Sequence, residues 1–99
     1  MRRGTTPNHI FTLPFSVEDV DSIHILYSQD DNVKLKKTKS DCVFDGNKVS
    51  VTLSQEETFR FIHGKMAYIQ IRILRKDLAL ASEIMYMIID ECLEDEVLR

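Results

Sequence analysis

The sequence predicts an all-β fold, an antiparallel β-sandwich of six to seven strands. The clearest observation is the run AYIQIRIL, in which small and aliphatic residues alternate with a second, mostly polar set. The first set is Ala67, Ile69, Ile71 and Ile73, and the second is Tyr68, Gln70, Arg72 and Leu74. Such alternation is typical of a strand with one buried face. Further short alternating segments follow one another along the chain with turn sequences between them, which is the pattern of a sandwich or small barrel.

The predicted strands cover residues 8–13, 21–28, 32–38, 47–53, 66–74 and 79–89. Pro14 ends the first strand because proline has no N–H for a ladder. The polar sequences QDDN (29–32) and DGN (45–47) are suited to hairpin turns, and residues 42–44 form a short apolar patch before the second of them. Ser54 and Glu57 have capping-box spacing, which predicts one turn of helix.

We expect an immunoglobulin-like arrangement of these strands in two sheets. One sheet would contain residues 8–13, 21–28 and 47–53, and the other 32–38, 66–74 and 79–89. Alternate residues of both sheets would fill the space between them. The predicted core is Ile23, Ile25, Val33, Leu35, Val49, Val51, Leu53, Ile69, Ile71 and Ile73.

The segment 79–89 has two interpretations. Ala81, Ile84, Ile88 and Cys92 recur at helical spacing, which would give an α+β fold with a C-terminal helix. Residues of the same segment also alternate as in a strand. The short link after a long strand favours a hairpin return, so we predict a strand.

Length and composition indicate one domain over residues 1–99. We expect a flexible N-terminal arm (1–7) and an acidic C-terminal tail (90–99), because both are polar and lie outside the predicted strands. No apolar run approaches the ~20 residues of a membrane span, and the first residues have no signal-peptide character. These features predict cytoplasmic synthesis.

No residue pattern in the chain indicates catalysis. His9, His24 and His63 fall on different elements without nearby ligands, and Cys42 and Cys92 lack metal-ligand spacing, so free thiols are expected rather than a zinc site or disulfide. Three glycines cannot build a phosphate loop. We therefore expect no enzyme activity, no cofactor and no metal.

Lys34, Lys36, Lys37 and Lys39 form a basic cluster. The formal net charge of the chain is −3, and no aromatic residues are interleaved with the lysines to stack on bases. A solvated strand face explains this cluster better than nucleic-acid binding, so we expect no nucleic-acid partner and no membrane partner.

A protein–protein contact is the functional hypothesis that the residues favour. If 66–74 and 79–89 pair, their outer faces would carry Tyr68 and Tyr86 with a row that includes Met85 and Met87. Alternatively, the acidic tail or the capping turn covers this face. Arg2 and Arg3 of the N-terminal arm are further candidate contacts.

Three stretches of the chain, RGTTPNHIFTLP, LSQEETFRF and IQIRILRKDLALAS, resemble small proteins encoded in prophages of gut Firmicutes. The strand pattern and the DGN turn are also similar to the immunoglobulin-like N-terminal domain of phage baseplate upper proteins. The first group has no assigned activity, so the resemblance transfers no functional residues. It implies a phage-derived structural or assembly component with a β-sandwich fold.

The expected function is therefore a non-enzymatic structural or accessory protein of a phage tail, baseplate or other virion component. It would act through contacts with other phage proteins or with itself as a homo-oligomer, and would be associated with virions. The alternative is a prophage-encoded regulator or inhibitor that binds a host protein.

Overall fold

The computed structural model describes residues 1–99 and contains two antiparallel sheets. The strands are β1 (Asn8–Thr12), β2 (Ser22–Gln29), β3 (Asn32–Thr38), β4 (Cys42–Asp45), β5 (Lys48–Thr52), β6 (Met66–Arg75), β7 (Leu78–Ala81) and β8 (Met85–Ile88). One helical turn, α1 (Gln55–Thr58), and two 3-10 turns (Val17–Asp19 and Lys39–Asp41) complete the elements. The predicted all-β sandwich is confirmed, with eight strands rather than six to seven.

The three-stranded sheet has the order β1-β5-β4, and the five-stranded sheet has the order β3-β2-β6, with β7 and β8 both paired to β6. Placing 21–28 in one sheet with 8–13 and 47–53 is therefore wrong. The reason is the turn between β2 and β3. Asp30 and Asp31 both have positive φ (53° and 63°), as a type I′ hairpin requires, and so short a link makes the two strands neighbours.

The predicted hairpin after β6 is confirmed. Lys76 and Asp77 form its turn, again with positive φ (48° and 65°). The left-handed conformation is unfavourable for lysine. The Lys76 N–H donates to a carboxylate oxygen of Asp21 at 3.1 Å, which helps to hold the turn in place.

The segment predicted as a single strand over 79–89 is extended but broken. Ser82 causes the break: its N–H donates to the Ile71 carbonyl (2.8 Å), and its hydroxyl accepts from the Ile71 N–H (3.0 Å). The Ser82 hydroxyl thus replaces a main-chain carbonyl as the acceptor for the Ile71 N–H. β8 begins three residues later and pairs with the N-terminal half of β6, whereas β7 pairs with the C-terminal half. The sequence analysis predicted only an apolar patch at 42–44, but these residues belong to a strand, β4, that pairs with β5.

Fifteen apolar side chains form one buried core between the sheets: Leu13, Val20, Ile23, Ile25, Tyr27, Leu35, Val49, Val51, Leu53, Phe61, Ala67, Ile69, Ile71, Ile73 and Ile89. The predicted core is correct except for Val33, which is 61% exposed. The β2–β3 register shifts between Tyr27 and Ser28, so Leu35 pairs with Tyr27 whereas Val33 pairs with Ser28. This irregularity turns Val33 to the outside.

The predicted capping box is present at α1. The Ser54 hydroxyl accepts from the Glu57 N–H (3.2 Å), and the Glu57 carboxylate accepts from the Ser54 N–H (2.8 Å). This short turn places Phe61 in the core, where its ring packs edge-on against Tyr27 with centroids 6.3 Å apart. The capping turn is therefore anchored between the sheets.

Candidate interaction surface

An extended apolar surface lies on the five-stranded sheet, on the side turned away from the three-stranded sheet. Cross-strand partners share a face, and Tyr68 lies between Ser28 of β2 and Tyr86 of β8, while Met66 lies opposite Ile88. We define the apolar face by six residues that expose 39–70% of their surface: Val33, Met66, Tyr68, Ile84, Tyr86 and Ile88.

The apolar face is continuous across the sheet. Val33, Leu26, Tyr68 and Ile84 come from β3, β2, β6 and the link before β8, and all four line one shallow depression of about 120 Å³. Because these elements follow one another across the sheet, the apolar surface extends from one edge of the sheet to the other.

Two of the predicted contact residues lie on this face and two do not. Tyr68 and Tyr86 are exposed there, 44% and 70% respectively. The expected outer row containing Met85 and Met87 is wrong. Met85 pairs with Ile69 and Met87 with the buried Ala67, so both methionines point inward and pack against the core.

The acidic tail does not cover the apolar face. It runs beside α1, where the Gln55 amide donates to the Leu98 carbonyl (3.0 Å) and accepts from the Leu98 N–H (2.8 Å). Asp95 in the same tail pairs with Arg3 at 3.1 Å. The tail therefore packs with the N-terminal arm and α1, and it leaves Tyr68 and Tyr86 exposed.

The two arginines of the N-terminal arm make contacts within the chain. The Arg2 guanidinium donates to the Glu91 carbonyl (2.6 Å) and remains exposed. The Arg3 guanidinium lies 5.3 Å from the centre of the Phe59 ring and is largely buried. An interface role for either arginine, and flexibility of residues 1–7 in solution, stay predictions.

A charged residue, Lys36, borders the apolar face at the β3 edge of the sheet. Lys36 on β3 lies opposite Leu26, and Leu26 lies opposite Gln70 on β6. The Gln70 amide donates to the Ser82 carbonyl (3.0 Å), and the exposed Ile84 lines the same shallow depression as Gln70. This row of side chains thus begins with a cation at the β3 edge and ends with an apolar residue.

Two of the clustered lysines make contacts within the chain; Lys37 is largely buried, contrary to expectation, whereas Lys39 is exposed. The Lys37 ammonium pairs with the Glu57 carboxylate at 2.8 Å, and both side chains are less than one-fifth exposed. The Lys39 ammonium donates to the Val20 carbonyl at 3.0 Å. Burial raises the pKa of Glu57, but hydrogen bonds from Lys37 and Ser54 outweigh it, and the pKa lies below its usual value.

A second polar contact joins the two sheets. His9 Nδ1 on β1 lies 2.7 Å from the Tyr27 hydroxyl on β2. Burial raises the pKa of Tyr27 and lowers that of His9, so a protonated hydroxyl lies beside a neutral imidazole, and the tautomer of the ring decides which group donates. Burial also raises the pKa of the free Cys42 thiol, which donates to the Thr38 carbonyl (3.3 Å). These groups stabilise the fold.

A groove of about 260 Å³ opens between the sheets beside β7. It is lined mainly by apolar side chains, including Leu13, Phe15, Ile71, Ile73 and Leu80. No group of three or more His, Cys, Asp and Glu side chains is placed to hold a metal ion. No helix has the length and apolar character needed to cross a membrane.

Comparison of the chain with protein-family models, with curated proteins and with solved structures finds no match. The apolar face is therefore defined from the geometry of this chain alone. The sequence identified Tyr68 and Tyr86, but it missed Val33, Met66, Ile84 and Ile88. The alternating pattern of residues 84–88 could have revealed Ile84 and Ile88, because in an extended segment they lie on the same face as Tyr86.

Proposed function

We propose that this chain is a non-enzymatic structural or accessory component of a phage particle, of the tail or baseplate kind, that acts through protein–protein contacts. The phage setting rests on the sequence resemblance. The mode of action rests on one observation, the exposed apolar face of the five-stranded sheet.

The size of the apolar face supports a binding role. Its six residues are large and partly exposed, and together they present on the order of several hundred Å² of surface. The largest contiguous apolar patch of a typical monomeric protein covers about 300–600 Å² and is often functional, which favours a binding role for this face. Leaving the surface in water is unfavourable, so a partner that covers it gains binding free energy.

The composition of the face supports the same role. Tyrosine and methionine are enriched at protein interfaces, and Tyr68, Tyr86 and Met66 are adjacent here. Tyrosine combines a large apolar ring with a polar tip and few rotatable bonds, which makes it a frequent energetic centre of interfaces. The two tyrosines are therefore the expected anchors of the contact.

The experiment is quantitative mass spectrometry of gradient-purified particles after induction in the strain that encodes the chain. We expect many copies per particle, and we expect Tyr86→Glu to reduce incorporation at least tenfold. The variant places a charge within the contact, where it would lose its hydration.

Val43→Glu is the matched control because Val43 is 69% exposed on β4, in the other sheet. It should leave incorporation unchanged. Absence of the wild-type chain from particles, with the protein left in the soluble lysate, would contradict the proposal and favour the regulator that binds a host protein.

A further inference from the structure

We infer that the open edge of β7 binds an extended segment of another protein as an added strand, with one apolar side chain of that segment inserted between the two sheets. The site goes beyond the proposed function, because it lies at an edge of the five-stranded sheet and not on the apolar face. Two observations carry the inference: main-chain groups without partners along β7, and the apolar groove beside them.

The main-chain groups that lack partners belong to the two alanines of β7. The Ser82 N–H donates to the Ile71 carbonyl (2.8 Å), so Ser82 and, two residues earlier, Leu80 turn their main-chain groups toward β6. Residues of an antiparallel pair alternate in this respect. The N–H and C=O groups of Ala79 and Ala81 therefore point away from β6, and no strand lies beyond β7 on this side of the sheet.

The sequence of β7 leaves this edge unprotected. Its four residues, LALA, are all exposed and carry no charge. Edge strands commonly carry lysine, which opposes pairing with another chain. β3, at the opposite edge of the same sheet, follows that rule with Lys34 and Lys36. The contrast between the two edges favours strand addition at β7.

The groove beside β7 supplies a place for a side chain of the added strand. Leu80 pairs with Ile73 of β6, and both line the groove together with Leu13 and Phe15 of the segment that follows β1. Cross-strand neighbours share one face of a sheet, so an added residue opposite Leu80 would face the groove. No charged side chain lines the groove, so that residue should be apolar.

The dimensions of the site favour a segment of a protein over a small molecule or a second copy of this chain. The groove volume of about 260 Å³ is below the ~300–1,000 Å³ of small-molecule pockets. A second copy that paired its own β7 here would contribute four residues, whereas a standard interface has about 20–30 residues a side. In strand addition by a peptide, main-chain hydrogen bonds give affinity and pockets for alternate side chains give specificity.

The test is a fluorescence-polarisation titration of the full chain into a labelled peptide. In this probe a central leucine and the valines on either side of it alternate with threonine, so that the leucine can take the position opposite Leu80. We expect saturable binding. A peptide with aspartate in place of the leucine should bind at least tenfold more weakly, because the groove would remove the charge from water.

Ala81→Pro removes one of the outward N–H groups and should weaken binding of the leucine peptide at least tenfold. Proline is tolerated in an edge strand where the N–H faces outward, so β7 should stay paired with β6. Ala81→Ser keeps the N–H at the same exposed position and is the matched control, with unchanged binding. Circular dichroism checks that the variants are folded, and Ala79→Pro tests the same edge if Ala81→Pro does not fold.

Three results would overturn the inference. The first is the absence of saturable binding. The second is equal binding of the two peptides, or equal binding of the leucine peptide by Ala81→Pro and Ala81→Ser. The third is a wild-type chain that dimerises while Ala81→Pro stays monomeric, because a second copy would then occupy the edge.

Discussion

At the scale of single residues, His9 and Tyr27 connect the two sheets through polar atoms in a largely apolar interior. Tyr27 is fully buried, and its hydroxyl requires a partner. The imidazole of His9 supplies that partner at 2.7 Å. Burial lowers the pKa of His9 and therefore favours the neutral imidazole, whose tautomer decides which of the two groups donates.

The preference of the folded chain for a neutral His9 predicts that its stability depends on pH. The pKa of His9 is lowered in the folded chain from the ordinary value of 6.5. As pH falls below about 6.5, the unfolded chain binds a proton that the folded chain does not yet bind, so the free energy of unfolding decreases, by at most about 1.4 kcal/mol per pH unit. Urea unfolding at several pH values between 5 and 8 measures the slope.

His9→Gln should flatten this slope, whereas His63→Gln should not, because His63 is exposed and makes no such contact. A slope unchanged in His9→Gln would show that the imidazole does not couple to folding.

At the scale of elements, the sequence predicted the limits of most strands well, but it did not predict the irregularities within them. β1, β2, β3, β5 and β6 lie within one or two residues of their predicted limits because alternation reports a buried face directly. Two irregularities were not predicted: the register shift that exposes Val33 and the break at Ser82. Both depend on which hydrogen bonds form between neighbouring strands, and an alternating sequence pattern does not reveal these. Both changes move apolar side chains onto the outer face, which is why the interaction surface was only partly predicted.

The contact between α1 and β3 supplies a prediction at the same scale. Glu57 joins the helical turn to Lys37 of β3 and caps its own helix through Ser54. Its pKa is lowered from 4.5 in the fold, so the stabilisation is complete above that pH and is lost as pH falls below it. At pH 7, Glu57→Gln should lower the free energy of unfolding by about 1–2 kcal/mol.

Glu56→Gln removes the same charge from an exposed neighbour and is the control. The difference in stability between the two variants should shrink when both are measured at pH 3. Equal stabilities at pH 7 would mean that the Lys37 pair contributes nothing.

At the scale of the whole molecule, the N-terminal arm connects the two sheets outside the core. Residues 1–3 lie beside the end of the five-stranded sheet, where the Arg3 N–H donates to the Asp90 carbonyl (3.2 Å). The chain then crosses to β1 in the three-stranded sheet. On the way Thr58 of α1 accepts from the Gly4 N–H (2.9 Å) and donates to the Thr5 carbonyl (3.1 Å). The sequence indicated only a polar arm, because these partners are distant along the chain.

Gly4→Ala tests whether this connection persists in solution. Gly4 has φ of 76°, and an added Cβ would lie 2.7 Å from the Phe59 ring. If the arm is docked, the substitution should lower the free energy of unfolding by about 1–2 kcal/mol for the left-handed backbone, plus the cost of displacing a ring that also contacts Arg3. Thermal and urea unfolding give the value.

Gly46→Ala is the matched reference, since Gly46 also has positive φ (63°) but no atom within 4 Å of an added Cβ. A docked arm makes Gly4→Ala at least as destabilising as Gly46→Ala, because it adds a steric cost to the same backbone cost. A mobile arm makes Gly4→Ala neutral while Gly46→Ala still destabilises. The second result would mean that Arg2 and Arg3 are available for contacts with a partner, as their predicted role in an interface requires.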